Sequence, residues 1–168
     1  MLNQIIKVLK NEGFEGILFR IKIRLIRKFP KYWSSLSKKF PARSKLYHKH
    51  LHYFENKNGI EFGGKSNTFD RYGLFPIYPH ASNVDNCNFG NLTYWEGSLV
   101  KGKNFLYNPK KKLGYQFIAE ASNLGDQVEA KAYDFVMSCH MLEHSANPVK
   151  TLFEWKRILK NDGLLLLI

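Results

Sequence analysis

The sequence predicts an α/β protein: a doubly wound, mainly parallel sheet of about five strands, preceded by a basic helical extension. Three observations carry this prediction. Tyr133–Ser138, a helix pattern opening at Asn147 and the run Leu164–Ile168 together form strand, helix, strand over about 35 residues, the crossover unit of a parallel sheet. The run Leu164–Ile168 is apolar at every position, as a strand covered by helices on both faces requires. After Asn58 the texture changes to short apolar runs separated by turn residues and helical segments.

The 168 residues suit one domain with a sizeable core, or a small domain plus an extension. The division falls at His50, giving an extension over 1–50 and a folded domain over 51–168. Residues 1–50 hold 13 Lys and Arg against Glu12 and Glu15, which is +11 of the formal +12, so the remainder is nearly neutral. Within the extension Ile5, Ile6 and Leu9, then Ile17, Leu18, Ile21 and Leu25, recur at helical spacing with Lys and Arg between them. This predicts two amphipathic helices broken near Gly13 and Gly16, stopped by Pro30 and followed by a basic connector over 30–46. Their apolar faces either pack on the following domain or lie on an anionic membrane surface through residues 1–46. Nucleic acid ranks behind both, because the segment has no recognisable binding motif.

Cys87 and Cys139 lack disulfide-framework or metal spacing, and no apolar run reaches the length of a membrane span. Lys7, Lys10 and Glu12 interrupt any signal-peptide core. The expected location is therefore the cytoplasm, with the extension offering peripheral attachment at the inner membrane surface. His48, His50 and His52 alternate, a spacing that shares one face only in a strand; their surroundings read as helical, so no metal site is expected.

Along the domain the expected strands are Gly59–Phe62, a second ending near Val84, a third around Gln116–Ala119, then Tyr133–Ser138 and Leu164–Ile168. Between the last two, Asn147 is the expected helix N-cap and Pro148 takes the first-turn position it tolerates. Val149, Leu152, Phe153 and Leu159 form the expected apolar stripe, and Gly163 follows the helix end.

The first strand ends in an acid, Glu61, and opens into Gly63-Gly64. At the carboxyl end of a parallel strand such a turn either admits the backbone of a cofactor closely or is an ordinary turn. Asp85 follows 24 residues after Glu61. A carboxylate at the end of the second strand can accept both ribose hydroxyls of an adenosine cofactor; the other reading is a solvent-facing loop aspartate.

Further on stand Phe117-Ile-Ala-Glu-Ala121 and the stretch from Tyr133 to Leu167. The latter has an aromatic-Asp pair opening a strand, Cys139-His140 at its end, Leu142-Glu-His144, Asn147-Pro148, Arg157-Ile-Leu-Lys160 and Asp162-Gly163 before an apolar strand. In these features the sequence resembles class I S-adenosylmethionine-dependent methyltransferases of the broad "methyltransferase type 11" kind. The resemblance covers about 110 residues and is most specific from Tyr133 onward. The variant with Gly63-Gly-Lys-Ser66 and Phe75-Pro-Ile-Tyr78 looks like a subgroup found in bacterial polysaccharide gene neighbourhoods.

The resemblance implies a Rossmann-like domain with S-adenosyl-L-methionine as cofactor. It places Glu61, Gly63 and Gly64 around the methionine part, Asp85 on the ribose, Glu120 and Ala121 beside adenine, and Cys139 and His140 beneath the sulfonium. Lys65 and Asn67 depart from the commoner pattern, which has further glycines there. Methyl transfer asks little of side chains beyond positioning, and a general base matters only for a hydroxyl or protonated amine acceptor. His140 is the candidate base, or else a loop or capping histidine. His140-Met-Leu-Glu143-His144 also spells a zinc-peptidase motif. That chemistry needs both histidines on one helical face, whereas the motif here begins at a strand end.

The expected activity is methyl transfer to a small-molecule, sugar or glycan-precursor acceptor. The alternative is a truncated, non-catalytic relative that binds membrane or another partner through its basic arm. The second reading arises because the resembled fold has seven strands against the five expected here, leaving Leu164–Ile168 as an apolar edge.

Overall fold

The computed structural model describes residues 49–71, 73, 75–93 and 97–168. The predicted basic helices, the connector over 30–46 and His48 lie outside the described residues. Strand formation begins at β1 (Asn58–Phe62) and continues through β2 (Asn83–Asn88), β3 (Leu92–Thr93), β4 (Gly97–Ser98), β5 (Gly102–Phe105), β6 (Gly114–Ile118) and β7 (Tyr133–Ser138). Helix α1 (Pro148–Ile158) and β8 (Leu159–Leu167) complete the order. Six strands form one sheet in the order β5-β6-β2-β1-β7-β8, and β3 and β4 form a separate small hairpin. β6, β2, β1, β7 and β8 run parallel, and β5 is antiparallel to β6. The doubly wound, mainly parallel α/β class is therefore observed.

Alternation of side chains puts different residues on the two faces of this sheet. On one face Phe135 and Met137 of β7 meet Phe54, Phe69 and Tyr78 from the connections. On the other, Ile60 and Phe62 of β1 meet Trp155 and Ile158 of α1. Both layers are rich in rings: Phe54 lies edge-on to Phe135 with centroids 5.2 Å apart, and Phe62 stacks on Trp155 at 4.7 Å.

Helix α1 starts where the local chemistry dictates. The Asn147 side chain accepts from the Lys150 backbone N–H at 2.9 Å, and Pro148 stands in the first turn. The expected apolar stripe is corrected, however. Thr151, Trp155 and Ile158 face the sheet, whereas Val149 and Phe153 are 62% and 69% exposed. The helix carries apolar residues on more than one side, so its sequence allows two orientations; stacking of the large indole on Phe62 selects the one observed. A fork of contacts then fixes the helix to the β6–β7 connection. Glu154 accepts from the Leu124 N–H and from Arg157, whose guanidinium also donates to the carbonyls of Val128 and Gly125.

Two strand boundaries differ from expectation by more than two residues. β8 begins at Leu159, directly after the helix, and its pairing with β7 skips from Tyr133↔Leu159 to Phe135↔Leu164. Gly163 therefore sits in this irregularity and not at a helix end. Leu164, Leu165 and Leu166 are only half-buried, so the reading of a strand covered on both faces is corrected for the described residues. The second boundary, at β2, bears on the site and is treated below. No helix among the described residues is long and apolar enough to cross a membrane.

Trp155 is fully buried, and its replacement by Ala removes the helix–sheet stack. Trp155→Ala is expected to lower unfolding free energy by about 3–5 kcal/mol, read as a reduced denaturant midpoint. The Arg157 guanidinium and, behind it, the Leu124 amide hold the Glu154 carboxyl below its ordinary 4.5 against the opposing effect of burial. A depressed folded-state pKa stabilises above the ordinary value and ceases to do so as pH falls through the lower one. Urea midpoints measured between about pH 6 and 3 should therefore fall less steeply in Glu154→Gln than in the parent chain.

Candidate functional site

The carboxyl ends of β1, β2, β6 and β7 lie side by side, and backbone bonds continue the pairing past the strands. The Gly63 N–H donates to Cys87 O at 2.9 Å, and the Ala119 N–H donates to Asn88 O at 2.9 Å. At β7 the Ile168 N–H donates to Ser138 O, and the His140 N–H donates to Ile168 O. Turns leaving a parallel sheet at this edge form its usual ligand crevice.

Gly63 has φ +78, a conformation glycine adopts without penalty, and a Cβ there would lie 3.0 Å from the Met141 side chain. Gly64 is buried against Glu61: a Cβ would come within 2.2 Å of the carboxylate. What holds this turn is a cluster of buried amides. Asn86 accepts from the Gly64 N–H and donates to Gly64 O, both at 3.0 Å, and its second amide hydrogen reaches Gln116 Oε1 at 2.8 Å. Asn88 donates to the same Gly64 carbonyl at 3.2 Å. The sequence reading missed Asn86, Asn88 and Gln116. The available signal was a pair of amides two residues apart, hence on one face, in a segment flanked by apolar residues.

Glu61 is fully buried and turned beneath the loop. One carboxylate oxygen accepts the Ser66 N–H at 3.1 Å and the other accepts the Tyr78 O–H. Burial, reinforced by the adjacent carboxylate, pushes the Tyr78 phenol far up, so the pair is an anion held by a neutral hydroxyl. The expectation that Glu61 contacts a ligand directly is thus corrected: both oxygens serve the loop.

Asp85 is corrected more sharply. β2 does not end near Val84; it begins at Asn83 and runs to Asn88. Asp85 pairs with Ile60 inside the sheet, three residues before the edge. Its carboxylate accepts from Asn83 Nδ2, the Tyr115 N–H and the Tyr133 O–H, each at 2.8 Å. It braces three strands and is not at the rim.

Four candidates remain at the rim. Glu120 follows β6 with an exposed carboxylate that makes no side-chain hydrogen bond among the described residues, and Ala121 beside it packs against the helix-side core. Cys139 is half-buried, its Sγ 3.3 Å from Thr68 Oγ1. His140 has φ +52 and an exposed ring whose Nδ1 lies 3.4 Å from Glu143 Oε1. His140 and His144 do not share a helical face, since a strand end and the short 3-10 turn Leu142–His144 separate them.

Asn86→Ala leaves a buried N–H and a buried carbonyl at Gly64 short of partners. We expect a loss of about 1–3 kcal/mol in stability and faster hydrogen exchange at the Gly64 amide. Unchanged exchange at that amide would contradict the clasp.

Residues 97–167 match the family model described as "Methyltransferase domain". None of the curated proteins matches significantly. The chain is similar in fold to the CalH methyltransferase solved as a complex with SAH, at 20% identity and TM-score 0.50, over 95% of this chain and 40% of that one. A Haloferax volcanii methyltransferase bound to the Trm112 activator is 16% identical with TM-score 0.46, over 81% and 57%. A Thermotoga maritima SAM-dependent methyltransferase, titled a possible histamine N-methyltransferase, is 18% identical with TM-score 0.42, over 84% and 60%. The chain thus spans roughly half the length of these solved structures.

Proposed function

We infer that the carboxyl edge binds S-adenosylmethionine for methyl transfer to a small hydroxyl-bearing acceptor, a reading supported by the match of residues 97–167 to the methyltransferase-domain family model. The observation that carries this reading is the exposed, left-handed Gly63 at the meeting of four strand ends, followed by Gly64, whose N–H and carbonyl the Asn86 amide holds. The residues present fit the cofactor with a changed division of labour. Gly63 and the following backbone would receive the methionine part, beside the Met141 side chain. With Asp85 inside the sheet, the free carboxylate of Glu120 is the group available to adenosine hydroxyls or amino groups, and Ala121 flanks the base. Cys139 and Met141 supply apolar surface between the two.

Bound there, S-adenosylmethionine supplies a methyl group already activated by its sulfonium, so positioning accounts for much of the rate. The chain's own part in the reaction is to exclude water and to take a proton from an acceptor that has one to lose. His140 is the side chain suited to that task, as an exposed imidazole on the rim. Hydroxyl acceptors need such a base, which favours a sugar or glycan precursor within the broader small-molecule class. Retention at the inner membrane surface through residues 1–46 belongs to the same proposal.

Calorimetric titration with S-adenosylhomocysteine tests the cofactor reading. Binding in the micromolar range is expected, weakened about tenfold or more by Glu120→Ala, the loss of a charged hydrogen-bond acceptor. Absence of heat at high micromolar ligand, from protein folded by circular dichroism, would sink it. Binding without transfer to any acceptor would favour the non-catalytic alternative.

A further inference from the structure

His140 is one of three non-glycine residues with positive φ in the described structure. Such a backbone costs about 1–3 kcal/mol and persists only where its surroundings hold it. Here Ile168 supplies the hold: its N–H donates to Ser138 O at 3.1 Å and its carbonyl accepts from the His140 N–H at 2.9 Å. The result is an imidazole directed away from the core, with its side chain 80% exposed. The next residue in the chain, Met141, lies against Gly63, so His140 belongs to the segment that adjoins the glycine turn.

The turn Leu142–His144 then brings Glu143 back towards the ring, with Oε1 3.4 Å from Nδ1. Glu143 is held below the ordinary carboxylate value, first by its own backbone N–H and then by His140 and His144, so it is an anion at neutral pH. A neutral imidazole carries one proton on one of two nitrogens. A carboxylate facing Nδ1 favours the proton there and leaves the lone pair on Nε2. Nε2 makes no hydrogen bond among the described residues.

We propose that Glu143 is a positioning residue, which holds His140 as its Nδ1–H tautomer so that Nε2 is the proton acceptor at the carboxyl edge. The proposal rests on the assignment of His140 as the base. In the step it serves, the acceptor O–H bond breaks and its proton passes to Nε2. The acceptor oxygen forms the new bond to the methyl carbon as the carbon–sulfur bond breaks, leaving its electron pair on a neutral thioether sulfur. Glu143 balances the imidazolium charge that results.

The test is long-range proton–nitrogen correlation NMR on the full chain labelled with nitrogen-15, at about pH 8 where histidine is neutral. In the parent chain His140 should show a protonated Nδ1 and an unprotonated Nε2. Glu143→Ala should return it to the Nε2–H form that free imidazole favours, whereas Glu143→Gln, which keeps a carbonyl acceptor, should retain Nδ1–H. An Nε2–H signature in the parent chain, or one unmoved by Glu143→Ala in a protein with otherwise parent-like shifts, would overturn the proposal. The outcome is separable from the cofactor titration. If S-adenosylhomocysteine fails to bind while His140 shows the expected tautomer, the methyltransferase reading falls and the Glu143–His140 pairing stands.

Discussion

The Asn86 side chain reaches from the middle of the sheet to the turn that follows its neighbouring strand, and the geometry of the carboxyl edge depends on that reach. Gly64 lies in a buried bend where its N–H and C=O have no strand partner. Leaving two buried main-chain groups unpaired costs about 1–3 kcal/mol each, comparable to deleting a sizeable core side chain. A single amide oriented by Gln116 satisfies both, and Asn88 adds a second donor to the carbonyl. A hydrophobic residue at position 86 would pack equally well in a parallel sheet and would leave the Gly64 N–H without its partner and the carbonyl with Asn88 alone. The polar residue in the sheet is the condition for an irregular turn at its rim.

Beneath that turn lies a second polar layer of opposite character. Burying the Glu61 carboxylate costs several kcal/mol, and hydrogen bonds to a charged group return about 1.5–3 kcal/mol each. With Ser66 and Tyr78 as donors the terms roughly cancel, so Glu61 adds little net stability and much constraint. Its substitution by a neutral side chain would release the loop while leaving the sheet in place. Net stability comes from the aromatic layers on either side: Phe62 on Trp155, Phe54 on Phe135. The molecule separates its labours in this way, rings for stability and buried polar groups for the shape of the edge.

This separation explains what was legible in the sequence. β7 was read at its observed limits because Tyr133–Ser138 is a continuous apolar-rich strand bounded by turn residues. The start of α1 was legible because Asn147 and Pro148 act within one turn of themselves. The buried face of α1 was not, since it is decided by a partner, Phe62, 93 residues away in sequence. β2 was misplaced for a more instructive reason. Asn83, Asp85, Asn86 and Asn88 are turn-forming residues by local preference, and their polar groups find partners only when β1, β6 and β7 are in place. Tertiary satisfaction overrode local propensity, and the error moved a strand end by four residues.

A four-residue error at a strand end changes chemistry as well as geometry. Strands advance about 3.3 Å per residue, so Asp85 stands about 10 Å below the tip at Asn88, too far for its carboxylate to meet a ligand at the rim. Asp85 instead accepts three bonds, two of which join β2 to β6 and β7, and burial, reinforced by the Asp85 carboxylate, pushes the Tyr133 phenol up and keeps it neutral. In the proposed site the anionic group comes from elsewhere: Glu120, exposed and without a side-chain hydrogen bond among the described residues, stands just past the end of the adjacent strand. The same ladder that sets Asp85 within the sheet sets Glu120 in place, because the Ala119 N–H donates to Asn88 O. The proposed exchange of one carboxylate for another is thus a consequence of register: once Asn86 is committed to Gly64, β2 must run on to Asn88, and the acid near its start belongs to the interior.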